Sequence, residues 1–132
     1  MGDTEDRKQQ LLINQANMAF TEEELNKWEP IIKSYIENNR PPEELRSQVD
    51  IAYAIDDQSF IIYTLRPQWN RPEEKMKIPA ARVSWVRSQK VWKVYWQRSD
   101  MKWHSYDPLP EADRLETFTE ELKADPNACF WG

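Results

Sequence analysis

Apolar residues recur along this chain at two different periods, and the change of period divides it into segments. Leu25, Trp28, Ile32, Tyr35 and Ile36 fall at three- and four-residue spacing, which makes one stripe of an amphipathic helix. Thr21 followed by Glu24 is a capping box at its start, where hydroxyl and carboxylate each take up an orphan backbone N–H. Pro30 lacks the donor that a helix interior needs and predicts a kink near Glu29; Pro41-Pro42 ends the helix. From Val49 the period falls to two, with Val49, Ile51, Tyr53 and Ile55 alternating with Asp50, Ala52 and Ala54. Asp56-Asp57-Gln58-Ser59 reads as a turn, after which Phe60–Arg66 returns. Phe60–Leu65 is apolar on both faces, so cover is expected on both sides. Pro67–Pro79 holds three of the nine prolines and reads as a loop.

Ala81–Arg87, Val91–Arg98 and Met101–Tyr106 follow with very short connections, which make them antiparallel neighbours. Leu115, Phe118 and Leu122 mark a short helix, capped by Asp113 and ended by Asp125-Pro126; Phe130-Trp131 is expected to pin the tail. Residues 1–17 form a polar extension, expected to be poorly ordered, ahead of one domain over 18–132. The fold class is α+β: an antiparallel β-meander of about five strands with an N-terminal helix and a short C-terminal helix.

Turn arithmetic then assigns faces to the last three strands. With Ser99-Asp100 as a two-residue loop, Trp96 lies opposite Trp103, Tyr95 opposite His104 and Lys93 opposite Tyr106. With Gln89-Lys90 as the other loop, Trp85 lies opposite Val94 and Arg82 opposite Gln97. One face then carries Val83, Trp85, Trp92, Val94, Trp96, Met101 and Trp103. The other carries Arg82, Ser84, Val86, Lys93, Tyr95, Gln97, Lys102, His104 and Tyr106. The indole face is the core, because burying such side chains is worth roughly 1.5–3 kcal/mol or more each and exposing them invites aggregation.

Charge is segregated along the chain. The net charge of -5 conceals a central block, 66–104, with 10 basic and 3 acidic groups, between flanks that are both acidic. That block overlies the polar strand face. Arg66, Arg82, Arg87, Lys93, Tyr95, Lys102, His104 and Tyr106 are therefore the candidate binding residues. Rings on which bases stack, among cations that meet phosphates, are the chemistry of single-stranded nucleic-acid binding. An acidic protein partner, or a homodimer formed by the same sheet, is the alternative for this face. A third reading pairs the basic sheet with the protein's own acidic helices, so that the segregation serves folding.

Other chemistries find little here. Glycine occurs only at Gly2 and Gly132, which removes glycine-rich phosphate cradles, and one Cys with one His supplies no disulfide framework or metal set. No cofactor is expected. Cys129 and His104 form a thiol–imidazole pair only on paper, and Asp56-Asp57 and Glu73-Glu74 read as a turn and a solvated loop, so an enzyme is not expected. No run approaches the roughly 20 apolar residues of a membrane helix, and Leu11-Leu12-Ile13 is too short for a signal-peptide core; a cytoplasmic protein without membrane contact is the expectation. Cys129 is expected to be a small buried hydrophobe.

Several motifs in order, Arg40-Pro41-Pro42, Leu65-Arg66-Pro67, Val91–Trp96, Lys102–Pro110 and the Asp125-Pro126 tail ending in glycine, carry a resemblance. The stretch from Met18 to Gly132 resembles a family of small bacterial proteins known as domain of unknown function 3024. The resemblance implies a bacterial, cytosolic single domain, and it brings no activity, cofactor or catalytic residue. The family places glycine near the second hairpin turn where this chain has Gln89-Lys90.

Overall fold

A computed structural model of the chain describes residues 19–125 and 129–131; the expected extension over 1–17 lies outside them. Helix α1 (Glu22–Asn39) begins at the capping box, with Glu24 N donating to Thr21 Oγ1 at 3.1 Å and Thr21 N to Glu24 Oε1 at 2.9 Å. Trp28, Ile32, Tyr35 and Ile36 form its buried stripe. The helix runs through Pro30, which sits on the exposed side, and stops before Pro41-Pro42. A 3-10 turn (Glu43–Leu45) leads into the sheet.

The sheet comprises β1 (Asp50–Asp56), β2 (Ser59–Pro67), β3 (Lys75–Val86), β4 (Val91–Gln97), β5 (Trp103–Ser105) and β6 (Glu111–Ala112). β1 to β5 neighbour one another in chain order, all antiparallel, and β6 pairs with β4. β5 and β6 share one edge of β4: Tyr106 N donates to Val94 O and Val94 N to Pro110 O, while 107–109 loop away. Helix α2 (Leu115–Ala124) buries Leu115, Phe118 and Leu122. The α+β class stands as expected.

Four local features depart from the sequence expectation. β3 begins at Lys75, inside the expected proline loop. Pro79 is tolerated because a bulge falls there: Ile62 faces Ala81, Tyr63 faces Pro79, and Ala80 is left without an opposite residue. The cap of α2 is Arg114, not Asp113, and it makes no side-chain cap bond. The β3–β4 loop has four residues, Arg87–Lys90, with Lys90 at φ 54°. This shifts the register by two from the expected one and leaves every face unchanged.

The fourth departure is the consequential one. Arg98 N donates to Lys102 O and Met101 N to Arg98 O, so the β4–β5 loop is the three residues Ser99–Met101, with Met101 at φ 64°. A loop of this kind needs one left-handed residue, where a type I′ two-residue turn needs two. Trp103 therefore faces Gln97, and His104 faces Trp96. The one-residue slip exchanges the two faces of β5.

Both helices and Phe130 pack on one sheet face. Its core includes Ile51, Phe60, Ile62, Ala81, Val83, Trp92, Val94 and Tyr106, with Trp85 and Trp96 partly buried against it. Trp92 is central, its ring 4.7 Å from Trp28, 5.1 Å from Trp85 and 6.0 Å from Phe20. The tail is pinned as expected, by Phe130 against Tyr106 at 4.5 Å and by Trp131 Nε1 donating to Leu122 O at 2.9 Å. Lys90→Gly and Met101→Gly are each expected to raise stability by about 0.5–1 kcal/mol in urea melts, because glycine meets no Cβ clash at positive φ.

The junction of α1 and β1 is fixed by an ion pair. Arg40 Nε and Nη2 donate to Asp50 Oδ1 and Oδ2 at 3.0 and 2.6 Å, and Ile51 N donates to Oδ1 at 2.8 Å. The Arg40 guanidinium, helped by that amide, holds the buried Asp50 carboxyl below the usual carboxylate range. A depressed folded value contributes stability above the ordinary carboxylate range and loses it as pH falls through the folded value. The urea midpoint is accordingly expected to drop between neutral pH and about pH 3, and Asp50→Asn is expected to flatten part of that drop.

Candidate nucleic-acid interface

The opposite face of the sheet carries the residues that remain. Alternation places Ser59, Ile61, Tyr63 and Leu65 of β2 there, because Phe60 and Ile62 are in the core. Register then aligns Ala54, Ile61, Arg82, Tyr95 and Ser105 across five strands. The neighbouring row toward one end brings Tyr63 and Trp103, and the row toward the other aligns Ser59, Ser84, Lys93 and Glu111. Among the described residues, neither helix lies over this face, contrary to the cover expected on both sides of Phe60–Leu65. Ile61 is nonetheless buried, between Ala54 and Arg82 on the adjacent strands.

Three rings on three strands, Tyr63, Tyr95 and Trp103, are each partly exposed. Cations stand among them. Lys77 lies 5.9 Å from the Tyr63 ring, Arg82 is directly opposite Tyr95, and Lys93 lies two residues from it along β4. Arg82 Nη1 also reaches Asp56 at 3.4 Å, an open surface pair worth little. Lys77 and Lys93 have no ion pair within 4 Å among the described residues.

Of the eight residues chosen from the sequence, Arg82, Lys93 and Tyr95 lie on this face. Tyr106 does not: it is fully buried on the helix side, and its hydroxyl donates to Glu121 Oε1 of α2 at 3.0 Å. His104 and, by alternation, Lys102 turn to the same helix side, because of the slip at Met101. Arg87 is committed within the chain. It donates to Glu24 at 2.7 Å and to Ala19 O at 3.1 Å, clamping the start of α1. Arg66 is exposed on the extension of β2 beyond β1, whose pairing ends at Leu65. Sequence reasoning missed Tyr63, Lys77 and Trp103. The alternation of β2 around Phe60 and Ile62 contained the signal for Tyr63.

His104 Nε2 lies 2.8 Å from Asp100 Oδ2 across the hairpin loop, and the Lys102 amide and this imidazole hold the Asp100 carboxyl below its ordinary range. Cys129 is only partly buried; desolvation and Asp125 push its thiol up, which keeps it protonated and weakly nucleophilic. No group of three or more His, Cys, Asp or Glu side chains suited to a metal occurs among the described residues, and no described helix is long and apolar enough to cross a membrane.

No curated protein and no solved structure matches this chain. Residues 20–132 match the family described as Domain of unknown function (DUF3024), and with nearly the whole chain covered, the protein belongs to that family.

Proposed function

We propose that the protein is a non-catalytic binding module whose open sheet face takes single-stranded nucleic acid. The observation that carries this reading is the set of Tyr63, Tyr95 and Trp103 on adjoining rows of one helix-free face, with Lys77, Arg82 and Lys93 between and beside them. A flat sheet with ring faces accepts unstacked bases of any sequence, while cations at its strands meet the phosphates that connect them. The duplex is a poor fit, since its bases are stacked and its grooves call for a protruding element rather than a sheet face.

Anisotropy titration of labelled single-stranded RNA and DNA at several salt concentrations tests the reading. Three cations neutralising phosphates predict a slope of about −2 in log K against log salt. Binding that is absent at low salt, or that ignores salt, contradicts it.

A further inference from the structure

One element of the fold extends past that face and shares only Lys77 with it. Beyond Leu65 and Ala81, β2 and β3 lose their outer neighbours β1 and β4 and project as a two-stranded arm. Trp69 near its tip is 92% exposed. Met76 and Ile78 are also exposed, as is Leu45 on the 3-10 turn beside the arm, where Lys75 Nζ donates to Arg46 O at 3.3 Å. Four of the six large apolar side chains exposed among the described residues are thus gathered at this end. At the base of the arm, between α1 and β1, lies a cavity of about 400 Å³ walled by Ile36, Ile51, Tyr53 and Leu65, with Glu37 and Arg40 at its rim.

We propose that these two features belong together across a dimer: Trp69 of one copy occupies the α1–β1 cavity of a second copy, and reciprocally. A chain cannot fill its own cavity with this ring. The tip stands ~13 Å from Leu65 along the strand, and the hairpin end is closed by Gln68 N to Glu74 O, Arg71 N to Gln68 O and Glu74 N to Arg71 O. The exchange is reciprocal, so the two copies are related by a two-fold axis. The net charges of the two surfaces are opposite. Residues 66–78 carry Arg66, Arg71, Lys75 and Lys77 against Glu73 and Glu74, a net of +2, whereas at the cavity Lys33 and Arg40 stand against Glu37, Glu43 and Asp50, a net of −1. Two indoles of roughly 150–250 Å² each, with Met76 and Ile78 beside them and equal area on the cavities, bury on the order of 1,200 Å², the lower range for a stable interface.

Light scattering after size exclusion, on the full chain over a range of concentrations, is the test. The wild type is expected to dimerise, and Trp69→Ser to weaken the dimer at least about thirtyfold while circular dichroism stays unchanged. Glu37→Lys is expected to weaken it too, and adding Arg66→Glu to recover part of the loss. A wild type that stays monomeric at high concentration overturns the proposal, and so does a Trp69→Ser dimer as tight as wild type. A monomeric wild type whose RNA affinity falls on Trp69→Ser likewise overturns it and assigns the arm to nucleic acid.

Discussion

Replacing Tyr95 and Trp103 together by alanine is expected to lower affinity for single-stranded RNA or DNA at least about thirtyfold, because each stacked base loses roughly 1–3 kcal/mol with its ring. The fold should survive, since both rings lie outside the core and on the face opposite the helices. Lys93→Ala is expected to act differently, weakening binding modestly and making the salt slope shallower by about 0.7. His104→Ala and Lys102→Ala serve as controls: the one-residue slip at Met101 turns both away from the proposed platform, so they are expected to leave affinity nearly unchanged. If the controls lose affinity and the Tyr95/Trp103 variant does not, the wrong face has been chosen.

Trp92→Ala carries the largest expected effect on stability, a loss of about 3–5 kcal/mol in unfolding free energy, read from urea melts. Trp92 is 1% exposed and packs against Phe20, Trp28, Phe60 and Trp85, and it faces Trp85 on β3 and Ala112 on β6. Truncation therefore opens a void where α1, β2, β3 and β4 meet, and rigid rings collapse into such a space poorly. Small domains have only about 5–15 kcal/mol in total, so the variant should be near its unfolding threshold. A loss below about 1 kcal/mol would mean that the ring is not packed as described.

The same residues show what patterning reveals and where it stops. The capping box at Thr21, the α1 stripe and the inward indoles of Trp85, Trp92 and Trp96 are legible because period and composition agree. The β3–β4 register was displaced by two residues without harm, since an even shift preserves faces. The β4–β5 register was displaced by one, and that moved Tyr106 from open face to core and Trp103 from core to open face. The missing cue is glycine: in the two hairpins whose register differs, the left-handed positions are held by Lys90 and Met101, neither of which announces a turn as glycine or aspartate does. Proline misled in the opposite sense. Pro79 sits at a bulge within β3, and the proline-rich pattern of 67–79 gives no sign of the strand that places Lys77 beside Tyr63.

A small part of the charge segregation is accounted for within the chain. Arg87 with Glu24 and Arg82 with Asp56 join the basic block to the acidic segment before it, and the first of these fixes the start of α1. Lys77 and Lys93 are left facing water beside rings, which is why the open face rather than the whole basic block is the proposed site.

Nuclear magnetic resonance mapping on isotopically labelled full-length protein addresses this assignment most directly, with a short single-stranded RNA added stepwise. The account predicts that the Trp103 indole N–H and the amides around Tyr63, Arg82, Lys93 and Tyr95 shift progressively while those of Trp28 and Phe118 stay still. Shifts confined to the helix side, or a spectrum that RNA leaves untouched, would contradict it.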